Sequence, residues 1–102
     1  MTYGKTFLSA LLNPTDEERK VAAWQRARPI TGSDPAIVRI DCDGRIIWLD
    51  HGLRSEYGWE IDHIVPLALN GLDTLSNLRA RHWRGNSRAG GLLSGILDDV
   101  GR

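Results

Sequence analysis

The middle of the chain places a carboxylate directly beside an imidazole, at Asp62 and His63. Carboxylate and amide oxygens are hard ligands that suit magnesium or manganese, so Asp62 and the more distant Asn86 could hold such an ion. Imidazole is the side chain best suited to take a proton from water near neutral pH. Alone, an Asp on a strand is more often a surface acid, and a His is more often a packed core residue. Found together, the three residues have the side-chain types of a metal-assisted hydrolytic site.

Four short blocks follow one another in this part of the sequence: WEIDHIVP at residues 59–66, GLD at 71–73, SNL at 76–78 and WRGN at 83–86. Each block alone is too short to be informative, but their order and spacing together are specific. They resemble the HNH nucleases of the ββα-metal superfamily, in an H-N-N variant of the motif. The GWEIDH segment and the DCDG segment before it are similar to a compact subgroup of phage and bacterial HNH proteins.

The resemblance implies an α+β fold built on a ββα-metal core. In such a core a short antiparallel ribbon carries Asp62 and His63, and a loop leads on to a helix. That helix is expected to begin near Leu75 and to carry Asn86. An N-terminal helix and a β-hairpin are expected to precede this core.

The same resemblance implies a role for each candidate residue. Asp62 and Asn86 hold one divalent cation, His63 is the general base, and Asn77 is the central Asn whose amide pins the loop that orients His63. Asn77 could also be a simple helix-start residue. The implied activity is hydrolysis of DNA phosphodiester bonds, with one site nicking one strand. Because the last motif residue is Asn where other members often have His, Mg²⁺ or Mn²⁺ is expected in preference to Zn²⁺.

Two further residues could support this site. Glu60 has the same strand phase as Asp62 and could orient the metal ligands, although a structural or exposed acid is an equal alternative. On the expected helix His82 lies one turn before Asn86 and could reach a transition metal. Packing or phosphate contact is the favoured interpretation of His82, because Leu78 and Trp83 mark a partly buried helix.

The charge is unevenly distributed along the chain. The net charge is zero, with 13 basic and 13 acidic residues, which by itself argues against a nucleic-acid partner. Residues 78–90 nevertheless contain no acid and four arginines, namely Arg79, Arg81, Arg84 and Arg88. This cluster predicts a DNA-binding surface, with an ordinary solvated helix face as the alternative. A basic residue often follows the last ligand in the family, but here that place holds Ala89.

The upstream half supplies the elements that must position the site. Acids at its start, bases at its end and apolar residues at helical spacing predict a helix over residues 15–28, ended by Pro29. Two β-rich runs, 37–40 and 45–49, flank the DCDG segment at 41–44 and predict a hairpin. The DCDG segment lacks the later Glu of a calcium loop, so a turn is expected there.

Length and composition limit the class of protein. With 102 residues, 41% of them hydrophobic, the chain is expected to form one domain, with its motif core at about residues 58–90. No apolar run approaches the roughly 20 residues of a membrane span, so a soluble cytoplasmic protein is expected. Cys42 is the single cysteine, which excludes an intramolecular disulfide. The tail at residues 91–102 has helical apolar spacing and packs either on its own domain or in a homodimer.

Three functions remain open on these observations. A DNA endonuclease requires Asp62, His63 and Asn86 together. A non-catalytic DNA-binding module would keep the ββα unit as a grip on the DNA backbone but would not require that combination. An RNA-directed or toxin nuclease would use the same chemistry on a different substrate.

Overall fold

The part of the chain that the structure describes contains two helices and two small antiparallel sheets. The structure, a computed structural model, describes residues 13–52 and 54–100, and for residues 92–100 it describes the backbone only. In chain order the elements are α1 (Asp16–Gln25), β1 (Arg28–Pro29), β2 (Val38–Ile40), β3 (Ile46–Trp48), β4 (Trp59–His63), β5 (Leu78–His82) and α2 (Trp83–Val100). The predicted α+β class is therefore confirmed.

Helix α1 begins at a capping box formed by Thr15 and Glu18. The Glu18 amide donates to the Thr15 hydroxyl at 3.1 Å, and the Thr15 amide donates to the Glu18 carboxylate at 2.9 Å. The predicted start is correct, but the helix ends at Gln25 and does not reach residue 28. Proline disfavours helical backbone at the residue before it, and Arg28 and Pro29 pair with β2 as the short strand β1.

Strands β1, β2 and β3 form a three-stranded antiparallel sheet in that order. The predicted hairpin is present, with Val38 opposite Trp48 and Ile40 opposite Ile46. In its turn Gly44 has a φ of +80°, a conformation that glycine adopts without steric cost. The DCDG segment is therefore a turn, as the sequence indicated.

Strands β4 and β5 form a second, two-stranded antiparallel sheet in which Asp62 lies opposite Arg79. The prediction of a helix from Leu75 was wrong, because a short 3-10 turn at Leu75–Asn77 leads directly into β5. Burial alternates along β5, since Leu78, Ala80 and His82 are buried and the two arginines between them are half-buried. That period of two is the pattern of a strand with one face on the core. Strand β4 provides the hydrogen-bond partners of the β5 backbone. In a helix, those partners would lie within the same segment.

Helix α2 starts directly after β5 and carries Asn86 near its beginning. It continues through Gly90 and Gly91, so the tail is helical as far as Val100. The tail's side chains lie outside the described residues, and the expected homodimer contact lies there with them. Neither described helix combines the length and the apolar character needed to cross a lipid bilayer.

The core lies between α1, the hairpin and one face of the β4–β5 sheet. Its buried residues include Trp24 from α1, Ile47 from β3 and Ala80 from β5. Trp59 packs against this cluster, with its ring 5.5 Å from that of Trp24. The opposite face of the sheet carries Glu60 and Asp62 and remains partly open. The core thus packs against one face of the sheet that carries the candidate residues.

Candidate functional site

His63 is the last residue of β4, and its side chain is held by a carboxylate from the following loop. Its Nε2 lies 2.9 Å from Oδ1 of Asp73. Because a carboxylate only accepts, Nε2 is the protonated nitrogen of this pair. The same oxygen accepts from Arg19 of α1 at 3.0 Å. Helix α1 therefore helps to fix the orientation of the His63 ring.

The Asp73 carboxylate is stabilised in its charged form by these neighbours. The hydrogen bond from His63, and then that from Arg19, hold the pKa of Asp73 below its ordinary value. Asp73 stood in the GLD block of the motif, but the sequence assigned it no role. Its position in the GLD block was the clue in the sequence to a role for Asp73. The contact between Asp73 and His63 is seen only in the folded loop.

Asn77 lies across the loop that follows His63. Its Nδ2 donates to the carbonyl oxygens of Val65, at 3.0 Å, and Leu72, at 2.7 Å. Its Oδ1 accepts from the Val65 amide at 2.9 Å. The Asn77 carbonyl also accepts from the Ile64 amide at 2.8 Å. The Asn77 side chain thus ties Val65, two residues beyond His63, to Leu72 later in the same loop.

Gly71 allows this loop to close. A Cβ at residue 71 would overlap the Val65 carbonyl and would lie 2.8 Å from the carbonyl oxygen of Pro66. The Gly71 amide donates to that Pro66 oxygen at 2.9 Å. Only a residue without a side chain can approach the chain so closely.

Asp62 is held by arginines from the neighbouring strand. Its Oδ2 accepts from Nε of Arg79 at 2.8 Å, and Nη1 of Arg81 lies 3.6 Å from the same oxygen. Neighbouring residues of a regular strand point to opposite faces, so Asp62 and His63 can serve one site only because His63 is the last residue of β4. Among the described residues no hydrogen bond or ion pair joins Asp62, His63 and Asn86 to one another. The structure therefore brings each of them to the ribbon but shows no direct contact between them.

Glu60 and Asn86 are in direct contact. The Asn86 Nδ2 donates to Glu60 Oε2 at 3.0 Å, which engages the nitrogen end of the amide and not its oxygen. Since Glu60 and Asp62 share one face of β4, three oxygen-bearing side chains border that face. Within the described residues no three His, Cys, Asp or Glu side chains are grouped so as to hold a metal ion. An ion here would depend on carboxylate and amide oxygens together with water, a donor set that fits Mg²⁺ or Mn²⁺.

Two aspartates that had no predicted role in the site attach the hairpin turn to it. Asp41 is buried, and its carboxylate accepts from the backbone amides of Asp43, Arg45 and His82 at 2.8–2.9 Å. Asp43 accepts two bonds from Arg81, at 2.8 and 3.1 Å, and these hold the pKa of Asp43 below its ordinary value. The DCDG spacing signalled a turn, but nothing in it showed that the turn docks on β5.

His82 is a buried residue at the end of β5, and the prediction that it shares a helical face with Asn86 was wrong. Its Nε2 donates to the carbonyl oxygen of Glu56 at 2.7 Å, and its Nδ1 accepts from the Arg84 amide at 3.1 Å. Both ring nitrogens are therefore occupied by backbone groups. His82 packs the start of α2 against the segment before β4.

The four arginines of the predicted DNA-binding cluster do not share one helix. Arg79 and Arg81 lie on β5, where they pair with Asp62 and Asp43. Arg84 and Arg88 are exposed on α2, and the Arg84 guanidinium lies 5.1 Å from the centre of the Trp83 ring. The cluster is divided between β5 and α2, because the helix predicted from Leu75 begins only at Trp83.

Comparisons with protein-family models, with curated proteins and with solved structures found no match for this chain. The functional assignment therefore depends on the residues and geometry described above.

Proposed function

We propose that the chain is a metal-dependent DNA endonuclease of the HNH type. The observation that carries the proposal is the position of Asn77, whose amide makes three hydrogen bonds across the loop that follows His63. A loop fixed in this way keeps a proton acceptor at the end of a strand in one orientation. The chain order of strand, loop, strand and helix, with Asp62 and His63 on the first strand and Asn86 on the helix, supports the same assignment.

His63 is the general base of the proposed reaction. Its Nε2 donates to Asp73, so Nδ1 is the nitrogen that takes a proton from the attacking water. The imidazolium formed in this way keeps its Nε2–H bond to Asp73, and the negative charge of that carboxylate stabilises it. Arg19 keeps that carboxylate in place by sharing its Oδ1.

Asp62 and Asn86 are the proposed ligands of a hard divalent cation. Bound there, Mg²⁺ or Mn²⁺ supplies positive charge that stabilises the scissile phosphate and the leaving oxygen. Glu60 keeps the Asn86 amide in one orientation by accepting from its nitrogen. Two protein ligands leave room for water and phosphate oxygens, as magnesium sites commonly do.

The proposed products carry 5′-phosphate and 3′-hydroxyl ends, and a single site nicks one strand. Cleavage of both strands then needs a homodimer or two encounters. The cytoplasmic location expected from the sequence is part of the same proposal.

A second candidate is a DNA-binding module without catalysis. The observation in its favour is the 2.8 Å bond from Arg79 to Asp62, which neutralises a carboxylate that the enzyme needs as a ligand. In such a module the arginines of β5 and α2 would contact phosphates while Asp62 served as their internal partner.

Supercoiled plasmid distinguishes these candidates. Purified protein is incubated with plasmid in Mg²⁺, Mn²⁺, Ca²⁺ or excess chelator, with the variant Asp62→Ala/His63→Ala as the matched control. The nuclease nicks the plasmid in Mg²⁺ or Mn²⁺, is poorly supported by Ca²⁺ and is inactive in chelator, and the variant is inactive throughout. Nicking that persists in chelator, or equally in the variant, would contradict the proposal. Binding of DNA without any nicking would favour the second candidate.

A further inference from the structure

A cavity of about 210 Å³ opens between the end of α1, strand β1, the DCDG turn and strand β5. Three of its lining side chains are guanidinium groups, from Arg26, Arg28 and Arg79. Its acidic lining residue is Asp41, whose carboxylate is already compensated by three backbone N–H donors. The cavity therefore presents more positive than negative charge to solvent.

Arg26 and Arg28 are exposed at this cavity and make no ion pair with the described residues. Because α1 ends at Gln25 and not at residue 28, both arginines follow the helix and lie at the cavity. Arg26 is the C-cap of the helix, and Arg28 lies on the edge strand β1. Neither arginine neutralises an acid among the described residues, so both guanidinium groups can meet an external anion.

Arg79 connects this cavity to the proposed site. It lines the cavity, and its Nε donates to Asp62 at 2.8 Å. An anion in the cavity would thus lie next to the arginine that touches a proposed metal ligand. Because Arg79 borders both the cavity and a proposed metal ligand, a polymer with a phosphate at each unit can place one phosphate at each position.

We propose that this cavity binds a backbone phosphate of the DNA strand, next to the phosphate that is cleaved. The inference rests on the proposed nuclease function and names Arg26 and Arg28 as residues that hold its substrate. Guanidinium groups bind phosphate oxygens through paired N–H donors, and each such contact releases condensed counterions. The cavity would position the strand without reading its sequence.

The test measures binding of a short fluorescein-labelled DNA duplex by anisotropy, in chelator, over a series of salt concentrations. Arg26→Ala and Arg28→Ala are compared with Lys20→Ala, because Lys20 is an exposed cation on α1 that lines other grooves and not this cavity. Each arginine variant is expected to weaken binding and to reduce the salt slope by about 0.9, the value for one lost phosphate contact. Lys20→Ala is expected to keep the wild-type slope. Thermal unfolding of each variant checks that the fold is intact.

The outcomes separate this inference from the proposed function. If the wild type nicks plasmid but Arg26→Ala and Arg28→Ala keep the wild-type salt slope of DNA binding, the proposed phosphate site is wrong. The proposed nuclease function is then unaffected. An equal loss of affinity and salt slope in Lys20→Ala would also contradict the phosphate site, because any exposed cation would then contribute equally to DNA binding. If the wild type nicks nothing but the arginine variants still differ from Lys20→Ala, the phosphate site is supported and the nuclease assignment fails.

Discussion

The Nε2 of His63 and the Oδ1 of Asp73 lie 2.9 Å apart, and this contact crosses from the end of β4 to the loop that leads to β5. It assigns the proton of the neutral imidazole to Nε2 and leaves Nδ1 as the basic nitrogen. Asp73 is a positioning residue in this arrangement, because it acts on the reaction only through the imidazole.

Replacing Asp73 by Asn should disturb the tautomer and orientation of the His63 imidazole while the imidazole itself remains present. An amide can present either an oxygen or a nitrogen to Nε2, so the fixed tautomer is lost and nicking slows by about tenfold. Nitrogen-15 NMR of the His63 ring measures the tautomer directly, and the pH profile of nicking should change with it. Asp73→Glu, which keeps a carboxylate, is the matched control. A single Nε2-protonated tautomer in Asp73→Asn would show that the contact does not orient the ring.

The pH dependence of stability should reflect the lowered pKa of Asp73. The hydrogen bonds from His63 and Arg19 favour the ionised carboxylate in the folded state. Their contribution is therefore present above the ordinary carboxyl pKa and disappears as the pH falls through the lowered value. Arg19→Ala and His63→Gln should each raise the pKa of Asp73, measured by NMR titration of its carboxyl carbon. An unchanged Asp73 titration in both variants would contradict this account.

Variants of the proposed base and of the proposed ligands should fail in different ways. His63→Ala should lose about 10²–10⁴-fold in rate while it keeps its metal affinity, and its melting temperature should fall only slightly from loss of the bond to Asp73. Asp62→Ala and Asn86→Ala should weaken metal binding first and should be partly rescued by high Mn²⁺. Calorimetry with metal, thermal unfolding and single-turnover nicking on the three variants separate the roles. A folded and fully active His63→Ala protein is incompatible with the mechanism.

Two glycines should respond to alanine with opposite signs. A Cβ at Gly71 meets the backbone of residues 65 and 66, which cannot easily move, so Gly71→Ala should destabilise the fold by about 3 kcal/mol. A Cβ at Gly90 would meet none of the described atoms within 4 Å, and the residue lies inside α2. Gly90→Ala should therefore stabilise the protein by about 0.5–1 kcal/mol through its higher helix propensity. Chemical denaturation of both variants decides the matter, and a stable Gly71→Ala protein would argue against the close approach of the loop.

The arginines of the predicted cluster should divide into two groups. Arg84 and Arg88 are exposed, so Arg84→Ala/Arg88→Ala should reduce the salt slope of DNA binding by about two units and leave the melting temperature unchanged. Arg81→Ala should instead lower the melting temperature, because it leaves Asp43 without its paired donors. Equal behaviour of the two groups in both measurements would refute the division.

The sequence by itself determined the elements whose signals are local. The capping box at Thr15, the hairpin around Gly44 and the strand that carries Asp62 and His63 depend on neighbours a few residues away. For the same reason the α+β class could be predicted. The blocks that contain Asp73 and Asn77 were visible in the sequence, although only Asn77 received a role from it.

The tertiary structure decided the secondary structure of residues 78–82. Their alternating apolar and basic residues are compatible with the end of a loop, a helix or a strand, and strand propensity depends on the partner that a segment meets. Pairing with β4 makes them a strand, and this pairing turns Arg79 toward Asp62 and delays the helix to Trp83.

Long-range contacts also decided what surrounds the candidate site. Asp43 reaches Arg81, Asp73 reaches both His63 and Arg19, and Arg28 reaches the cavity beside Arg79. The members of these contacts lie between 10 and 54 residues apart, so no pattern among adjacent residues encodes them. They form because packing of α1 and the hairpin on β5 brings the segments together, and the free energy of that packing is spread over the whole core.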